Sequence, residues 1–260
     1  MRTFYRWTAI LGLTLASTAA TGAEALQDRK YRTVWDIQAA RPPAGTQTIA
    51  AGKPVLEQRL LPIGLAAADE DILSDSGKVL AEKGTQFFQL RVAAGKTYCV
   101  ANVPRPSAWR SVMLGGGNLQ LCLVDADADG IFDGHFNGGN PMKGVPFIEG
   151  KQPKSPKPLR SGRYSALPVE NFTLNYTVRI VAETIQPATT GKPSIRYRID
   201  FGDEAVREKL SGAIAGTLGD TGILGAGWTV LETTDGAMTI EISGTMPAQP
   251  FAAYQTRIYR

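Results

Sequence analysis

The sequence predicts an all-β or β-rich protein in which antiparallel sheets pack in a sandwich-like arrangement with long irregular loops. Two stretches, 172–180 and 195–201, alternate apolar and polar residues in the manner of half-buried strands. The chain of 260 residues also contains 28 glycines and 16 prolines, which favour many turns between short strands. Together these observations predict two packed sheets.

The remaining predicted elements are also mostly strands. Segments 87–92 and 98–103 form two strands with a turn at 94–96 between them, and 119–124 alternates again. Further along, 228–233 and 237–243 form a hairpin around the turn at Asp235 and Gly236. A short helix is expected at 204–210 and a last strand at 253–259.

The first 23 residues have the features of a secretory signal peptide. Arg2 and Arg6 give a basic start, an apolar stretch runs from Thr8 to Ala20, and small residues follow. A membrane anchor is the alternative, but this apolar run is short for a bilayer span and no later stretch approaches one. The sequence therefore predicts an exported protein, periplasmic or secreted, with no transmembrane segment after signal removal.

The charge of the chain gives little support to a nucleic-acid partner. The formal net charge is +4, and removal of Arg2 and Arg6 with the signal lowers it to +2. A mature chain this close to neutrality lacks the strongly basic balance of proteins that bind nucleic acids through net charge. We therefore expect no nucleic-acid partner.

Cys99 and Cys122 are the only cysteines. In an exported protein, such a pair is most simply interpreted as a disulfide, which would stabilise the fold by about 3 kcal/mol. The alternative, a catalytic thiol, has no neighbouring base in the sequence to activate it. A Cys99–Cys122 disulfide is the prediction.

An acidic run from Asp125 to Asp133 carries the most specific chemistry in the sequence. Asp125, Asp127, Asp129 and Asp133 stand at its positions one, three, five and nine. Carboxylates crowded in one turn repel each other unless a cation neutralises them. Ca²⁺ suits such a loop because it accepts about six to eight oxygen ligands at flexible angles, whereas Mg²⁺ keeps more of its waters.

Two other residues of the run fit the same interpretation. Gly130, at position six, allows a sharp turn at positive φ. The carbonyl oxygen of Ile131, at position seven, is expected to be a further ligand. The alternative is a solvated acidic turn without a metal, because Asp and Gly are also ordinary turn residues.

The spacing resembles two families of calcium loop. It resembles the EF-hand loop, including that of dockerin modules, at positions one, three, five and six, but Phe136 stands where the EF-hand has a bidentate Glu, and the flanks are strand-like. It resembles the Asp-x-Asp-x-Asp-Gly-x-x-Asp loop of integrin-type propeller blades and other secreted β proteins at all five defining positions. The resemblance covers nine residues and implies a structural Ca²⁺, without assigning the whole chain to a family.

The domain prediction follows from these features. After the signal, 24–150 forms a β-rich N-terminal half with the calcium loop and the disulfide. A Pro- and Lys-rich linker or loop occupies 151–163, and 164–260 forms a β-rich C-terminal half.

No catalytic residues are predicted. His135 is the only histidine, and no Gly-x-Ser-x-Gly motif accompanies it. The sequence favours a non-enzymatic exported protein and leaves its partner unassigned, with an envelope polymer or a carbohydrate as the candidates. The alternative is a periplasmic or extracellular hydrolase using carboxylates such as Asp133, or a carbohydrate-binding protein that uses Trp35, Trp109 and Trp228, although aromatic residues in β proteins usually lie in the core.

Overall fold

The computed structural model describes residues 29–101, 120–138, 149–187, 193–203, 207–209 and 214–252. In these residues the regular structure is almost entirely antiparallel β-strand, which confirms the predicted fold class. The predicted signal peptide, Trp109 and the predicted strand at 253–259 lie outside the described residues. No helix in the described ranges combines the length and the apolar character that a bilayer crossing requires.

The strands are short and follow each other closely along the chain. The first eleven are β1 Lys30–Arg32, β2 Trp35–Ile37, β3 Thr46–Ala50, β4 Pro54–Pro62, β5 Leu65–Ala68, β6 Ile72–Ser74, β7 Val79–Ala81, β8 Gln86–Leu90, β9 Lys96–Val100, β10 Gln120–Asp125 and β11 Gly134–Gly138. The rest are β12 Glu149–Lys151, β13 Lys157–Ser161, β14 Tyr164–Leu167, β15 Thr177–Gln186, β16 Ser194–Gly202, β17 Arg207–Lys209, β18 Ile214–Gly216, β19 Gly219–Ile223, β20 Ala226–Thr234, β21 Ala237–Gly244 and β22 Gln249–Phe251. One 3-10 helix, Val169–Asn171, precedes β15.

Four antiparallel sheets organise these strands. The largest has the order β14-β5-β8-β9-β10-β11-β13-β6-β7, and the second has the order β17-β16-β15-β4-β2-β22, with β18 also paired to β16. A third sheet has the order β19-β20-β21-β3, and β1 pairs with β12 in a two-stranded ribbon. Two of the sheets curl into half-barrels.

The largest sheet contributes side chains to two separate cores. Adjacent residues of a strand point to opposite faces, so Phe88 joins the larger core while Phe87 joins the smaller one. Cys122 and Leu123 divide between the two cores in the same way. The centre of this sheet is therefore covered on both faces. Phe132 of the acidic loop is one of the residues of the smaller core.

The larger core contains two of the tryptophans. Trp35 and Trp228 are each only 1% exposed. The Trp35 ring centroid lies 5.8 Å from that of Phe88, and Trp228 donates a hydrogen bond of 3.2 Å from Nε1 to the hydroxyl of Tyr197. These two tryptophans are core residues and do not form a sugar-stacking surface.

The second predicted alternation, 195–201, forms β16, but the first is only partly a strand. Strand β15 begins at Thr177. Residues 172–176, between the 3-10 helix and β15, are not part of a strand. Phe172 and Tyr176 are buried there because both rings pack against Trp35, at centroid distances of 5.8 and 5.2 Å. Their apolar character thus reflects packing into the larger core against Trp35 of β2, although neither residue lies in a strand.

The segment predicted as a linker or loop, 151–163, is largely part of the sheets. Strand β13 pairs with β11, where Gly134 faces Pro158, and with β6, where Leu159 faces Ser74. A proline occupies a strand where its missing N–H is not needed for pairing, and Leu159 packs against the smaller core. Strands on either side of this segment also share sheets, since β15 pairs with β4 and β14 pairs with β5.

The helix predicted at 204–210 is wrong where the structure describes that segment. Residues 207–209 form β17, which pairs with the end of β16. A short charged segment has no strong helical preference of its own. Pairing with an existing strand edge therefore decides its conformation.

Candidate metal centre

The acidic loop joins β10 to β11, the two strands of a hairpin. Five residues of each strand pair in register, from Gln120 opposite Gly138 to Val124 opposite Gly134. The hairpin closes with a 2.7 Å hydrogen bond from the N–H of Asp133 to the carbonyl of Val124. Strand flanks were expected from the sequence, and they place Asp125 at the first position of a tight loop.

The loop brings three of the four aspartates together. One carboxylate oxygen from each of Asp125, Asp127 and Asp133 lies within 4.8 Å of the others, while Asp129 is outside this cluster. Asp125 is fully buried, whereas Asp127 and Asp133 are exposed. Within the described part of the chain, no lysine or arginine forms an ion pair with these aspartates.

Backbone amides of the loop fold around the buried carboxylate. The N–H of Asp129 donates to Asp125 Oδ1 at 3.2 Å, and the N–H of Gly130 donates to Asp125 Oδ2 at 3.2 Å. The loop turns sharply because Ala128 and Gly130 have φ values of 63° and 91°. The prediction of positive φ at Gly130 is confirmed, and a non-glycine residue would be strained there.

Asp129 and Ile131 are joined by a hydrogen bond within the loop. Asp129 Oδ1 accepts it from the N–H of Ile131 at 2.8 Å. Ile131 pairs with Arg163 through hydrogen bonds made by the neighbouring residues. In such a pair, the N–H and C=O of the central residue both point away from the partner strand. The Ile131 carbonyl is therefore on the loop side, where a ligand at position seven belongs.

Tyr164, at the start of β14, connects the buried carboxylate to the core. Its hydroxyl donates a 2.6 Å hydrogen bond to Asp125 Oδ2 and is also in hydrogen-bond contact with the hydroxyl of Tyr98. Burial, and secondly the hydrogen bond to Asp125, raise the pKa of Tyr164 well above its ordinary value. The hydroxyl is therefore a permanent donor to the carboxylate at neutral pH.

Phe132 fixes the other side of the loop. Its ring stacks on Tyr164 at a centroid distance of 4.3 Å and makes edge contacts with Phe87 at 5.6 Å and Tyr98 at 5.9 Å. The N–H of Phe132 also donates to the carbonyl of Gly162 at 2.9 Å. Phe132 is 2% exposed, so the loop is held by an aromatic side chain inserted into the smaller core.

Neither aromatic residue is predicted from the sequence. Phe132 occupies an unspecified position of the nine-residue pattern, and Tyr164 is 39 residues from Asp125 along the chain. Only the alternation that would place Tyr164 on a strand facing the hairpin could have revealed the contact, and that segment is too short to show it.

Replacing Tyr164 with Phe tests the hydrogen bond to Asp125. The variant keeps the ring that stacks on Phe132 and removes only the donor. Hydrogen bonds to charged groups contribute about 1.5–3 kcal/mol, so the free energy of unfolding should fall by about 2 kcal/mol at neutral pH. Denaturant unfolding measures the change, and an unaltered midpoint would contradict this role of Tyr164.

The same variant should change the dependence of stability on alkaline pH. The pKa of Tyr164 is raised in the folded protein above its ordinary value of 10.0, so above that pH the unfolded chain loses a proton that the folded protein retains. The wild type therefore loses stability progressively as the pH rises above about 10, and Tyr164→Phe should lose less. Equal slopes in the two proteins would contradict the raised pKa.

His135 lies on β11 beside the loop but is not part of the carboxylate cluster. Its cross-strand neighbours are Leu123 and Lys157. Burial lowers the pKa of His135, and the nearby charge of Lys157 lowers it further. The imidazole is therefore held neutral between an apolar residue and a cation.

The predicted disulfide is present on the same hairpin strand. Cys99 on β9 and Cys122 on β10 are directly opposite each other and bonded, and both are fully buried in the larger core. Cys122 precedes Asp125 by three residues and points to the opposite face from Leu123. The loop is thus connected to a strand pair that is also joined covalently.

Fold and site together define an all-β protein of antiparallel sheets, with a buried disulfide and a carboxylate-lined hairpin loop. No family model, no curated protein and no solved structure matches the chain.

Proposed function

We propose that the chain is an exported, non-enzymatic protein whose loop from Asp125 to Asp133 binds a structural Ca²⁺. The observation that carries this proposal is the approach of the carboxylates of Asp125, Asp127 and Asp133 to within 4.8 Å of one another. Such an arrangement of like charges is unfavourable by itself and becomes favourable around a cation.

The donors around the cluster favour calcium. The donors are hard oxygen ligands, namely the three clustered carboxylates and the loop-side carbonyl of Ile131, and Asp129, outside the cluster, would have to move to add a further one. Calcium accepts this many protein oxygens, whereas Mg²⁺ retains several waters and requires a stricter octahedron. When bound, the ion would neutralise the loop and rigidify it, with Asp125 held in place by Tyr164.

Export is supported by the disulfide together with the predicted signal peptide. Buried disulfides persist in oxidising compartments such as the periplasm or the extracellular space. The location we propose is therefore periplasmic or secreted, with an envelope polymer or carbohydrate as the partner.

The hydrolase alternative receives no comparable support. Asp133, its candidate carboxylate, accepts a 2.7 Å hydrogen bond at Oδ2 from the N–H of Ala126 and belongs to the cation cluster. One of its oxygens thus closes the loop. A structural role for the loop accounts for each of these contacts.

Calcium addition should stabilise the purified protein. At a free calcium concentration about 100 times Kd, the free energy of unfolding should rise by about 2.7 kcal/mol over that in chelator. Thermal unfolding in calcium and in chelator measures this difference, and elemental analysis of the dialysed protein measures bound metal.

A matched pair of variants makes the test specific. Asp127→Asn should abolish the calcium effect and should leave the protein at least as stable as the wild type in chelator, because one like charge leaves the cluster. Asp235→Asn, in the exposed β20–β21 turn, should keep the full calcium effect. An identical calcium shift in wild type and Asp127→Asn, or no shift and no bound metal in the wild type, would refute the proposal.

A further inference from the structure

A second charged surface lies on the ribbon of β1 and β12 and the chain beside it. Lys30 pairs directly with Lys151, and Arg32 pairs directly with Glu149. On its other side, Arg32 is bridged to Arg91 by mutual backbone hydrogen bonds of 3.1 and 2.9 Å. We call these five side chains the basic face.

The basic face points to solvent as one surface. Residues that are directly opposite in a ladder share a face, as do residues two apart on one strand, so all five side chains project on the same side. All five are exposed. Two residues along a strand span about 6.6 Å, and directly opposed Cβ atoms are about 5 Å apart, so four cations occupy a compact area.

The opposite side of the ribbon is anchored to the larger core. Tyr31, between Lys30 and Arg32, is buried and its ring centroid lies 5.4 Å from that of Phe136. Gly150 is opposite Tyr31, and a Cβ there would lie 2.7 Å from the Tyr31 hydroxyl. The ribbon is therefore closely packed against the protein, which keeps the charged side chains on a fixed frame.

The basic face has more positive than negative charge, since Glu149 is the one anion among its five side chains. Like charges that are directly opposite in a sheet destabilise it, and this surface contains two such pairs, Lys30 with Lys151 and Arg32 with Arg91. Within the described residues, Lys30, Arg91 and Lys151 form no ion pair. The face therefore has an excess of positive charge, whereas the formal net charge of the whole chain is only +4.

We propose that the basic face binds an acidic polysaccharide, a glycan that bears carboxylate or sulfate groups. Repeated anionic groups along a polymer complement an array of fixed cations two to three strands wide. None of the five side chains is aromatic, so the face lacks the platform on which nucleic-acid bases stack, and none is apolar, so it lacks the residues that insert into lipid. The proposal rests on the proposed export of the protein and identifies the class of polymer that it meets there.

Binding to dextran sulfate, with uncharged dextran of the same length as the control polymer, tests the proposal. The protein, expressed from the full sequence with its signal peptide removed on export, should bind dextran sulfate at low ionic strength and should not bind dextran. Lys30→Gln combined with Lys151→Gln should weaken binding by about 10- to 30-fold, because each surface cation contributes up to about fivefold to the affinity for an anionic surface. Added salt should weaken wild-type binding more steeply than binding by this variant.

A second double variant separates the basic face from net charge. Lys53→Gln combined with Lys83→Gln removes the same charge from exposed positions elsewhere and should bind within about twofold of the wild type. The Lys30 and Lys151 double variant should melt no lower than the wild type, because it removes a repulsive pair. Equal losses in the two double variants would overturn the proposal.

Two further arms complete the experiment. Tighter binding to anionic phospholipid vesicles or to single-stranded DNA than to dextran sulfate would also overturn the proposal, since it would indicate a different class of partner. All measurements are made in chelator and again in calcium with Asp127→Asn alongside. If Asp127→Asn no longer responds to calcium but still binds the polymer, the two proposals are independent, and either one can fail without the other.

Discussion

Phe132→Ala is expected to lower the free energy of unfolding by about 3–5 kcal/mol, the usual cost of deleting a buried aromatic side chain. Phe132 is 2% exposed and contacts the rings of Tyr164, Tyr98 and Phe87. The surrounding aromatic rings belong to three different strands, so the cavity cannot collapse without moving the sheet. In the absence of metal, substitution of Phe132 should therefore lower the free energy of unfolding more than substitution of any aspartate of the loop.

The neighbouring residue provides a matched control. Ile131 is 44% exposed, and Ile131→Ala retains the backbone carbonyl that faces the loop, so its effect on stability should remain within about 0.5 kcal/mol. Denaturant unfolding of both variants in chelator measures the difference. Similar losses in the two variants would show that Phe132 is not the anchor.

Calcium affinity gives a second measurement on the same pair. If Phe132 holds the loop in its folded shape, Phe132→Ala should also weaken calcium binding, because part of the binding energy must then order the loop. Ile131→Ala should bind calcium as the wild type does. Calorimetric titration of the two folded variants compares them directly.

The loop was predictable because its signal is local in the sequence. Four aspartates and Gly130 within nine residues indicate a cation loop whatever surrounds them, and the structure brings three of these carboxylates together. The contacts that anchor the loop are not local. The hydrogen bond from Tyr164 to Asp125 depends on how β14 packs against the hairpin, and no spacing in the sequence records that packing.

The same distinction explains the results for the fold. Alternation correctly indicated β16, where Ile195 and Tyr197 are fully buried. Alternation was misleading before Thr177, because Phe172 and Tyr176 are buried against Trp35 in the larger core without forming a strand themselves. The prolines and lysines of β13 are typical of a loop and gave no strand signal. Its strand conformation depends on pairing with β11, more than 20 residues away in the chain, and with β6, more than 80 residues away.

The hairpin is supported on both faces of the largest sheet. Cys122 points into the larger core with the disulfide, while Leu123 points into the smaller core that holds Phe132. Strand β10 is therefore fixed on one face by a covalent bond and on the other by apolar packing. The acidic loop begins two residues after this doubly supported position.

Replacing both Cys99 and Cys122 with Ala is expected to lower the free energy of unfolding by about 3 kcal/mol, the contribution predicted for a cross-link of this span. The bond joins residues separated by 23 positions, so in the unfolded chain it restricts a loop that would otherwise be free. The native register does not depend on it, because β9 and β10 pair at four positions and both are buried in the sheet. The variant should therefore fold, with the strand order and the calcium response retained, and chemical reduction of the wild type should produce a similar loss. Denaturant unfolding of the oxidised, reduced and Ala-substituted proteins measures the three values. A loss below about 1 kcal/mol in both perturbed forms would contradict this contribution and would mean that the unfolded chain is about as restricted without the disulfide as with it.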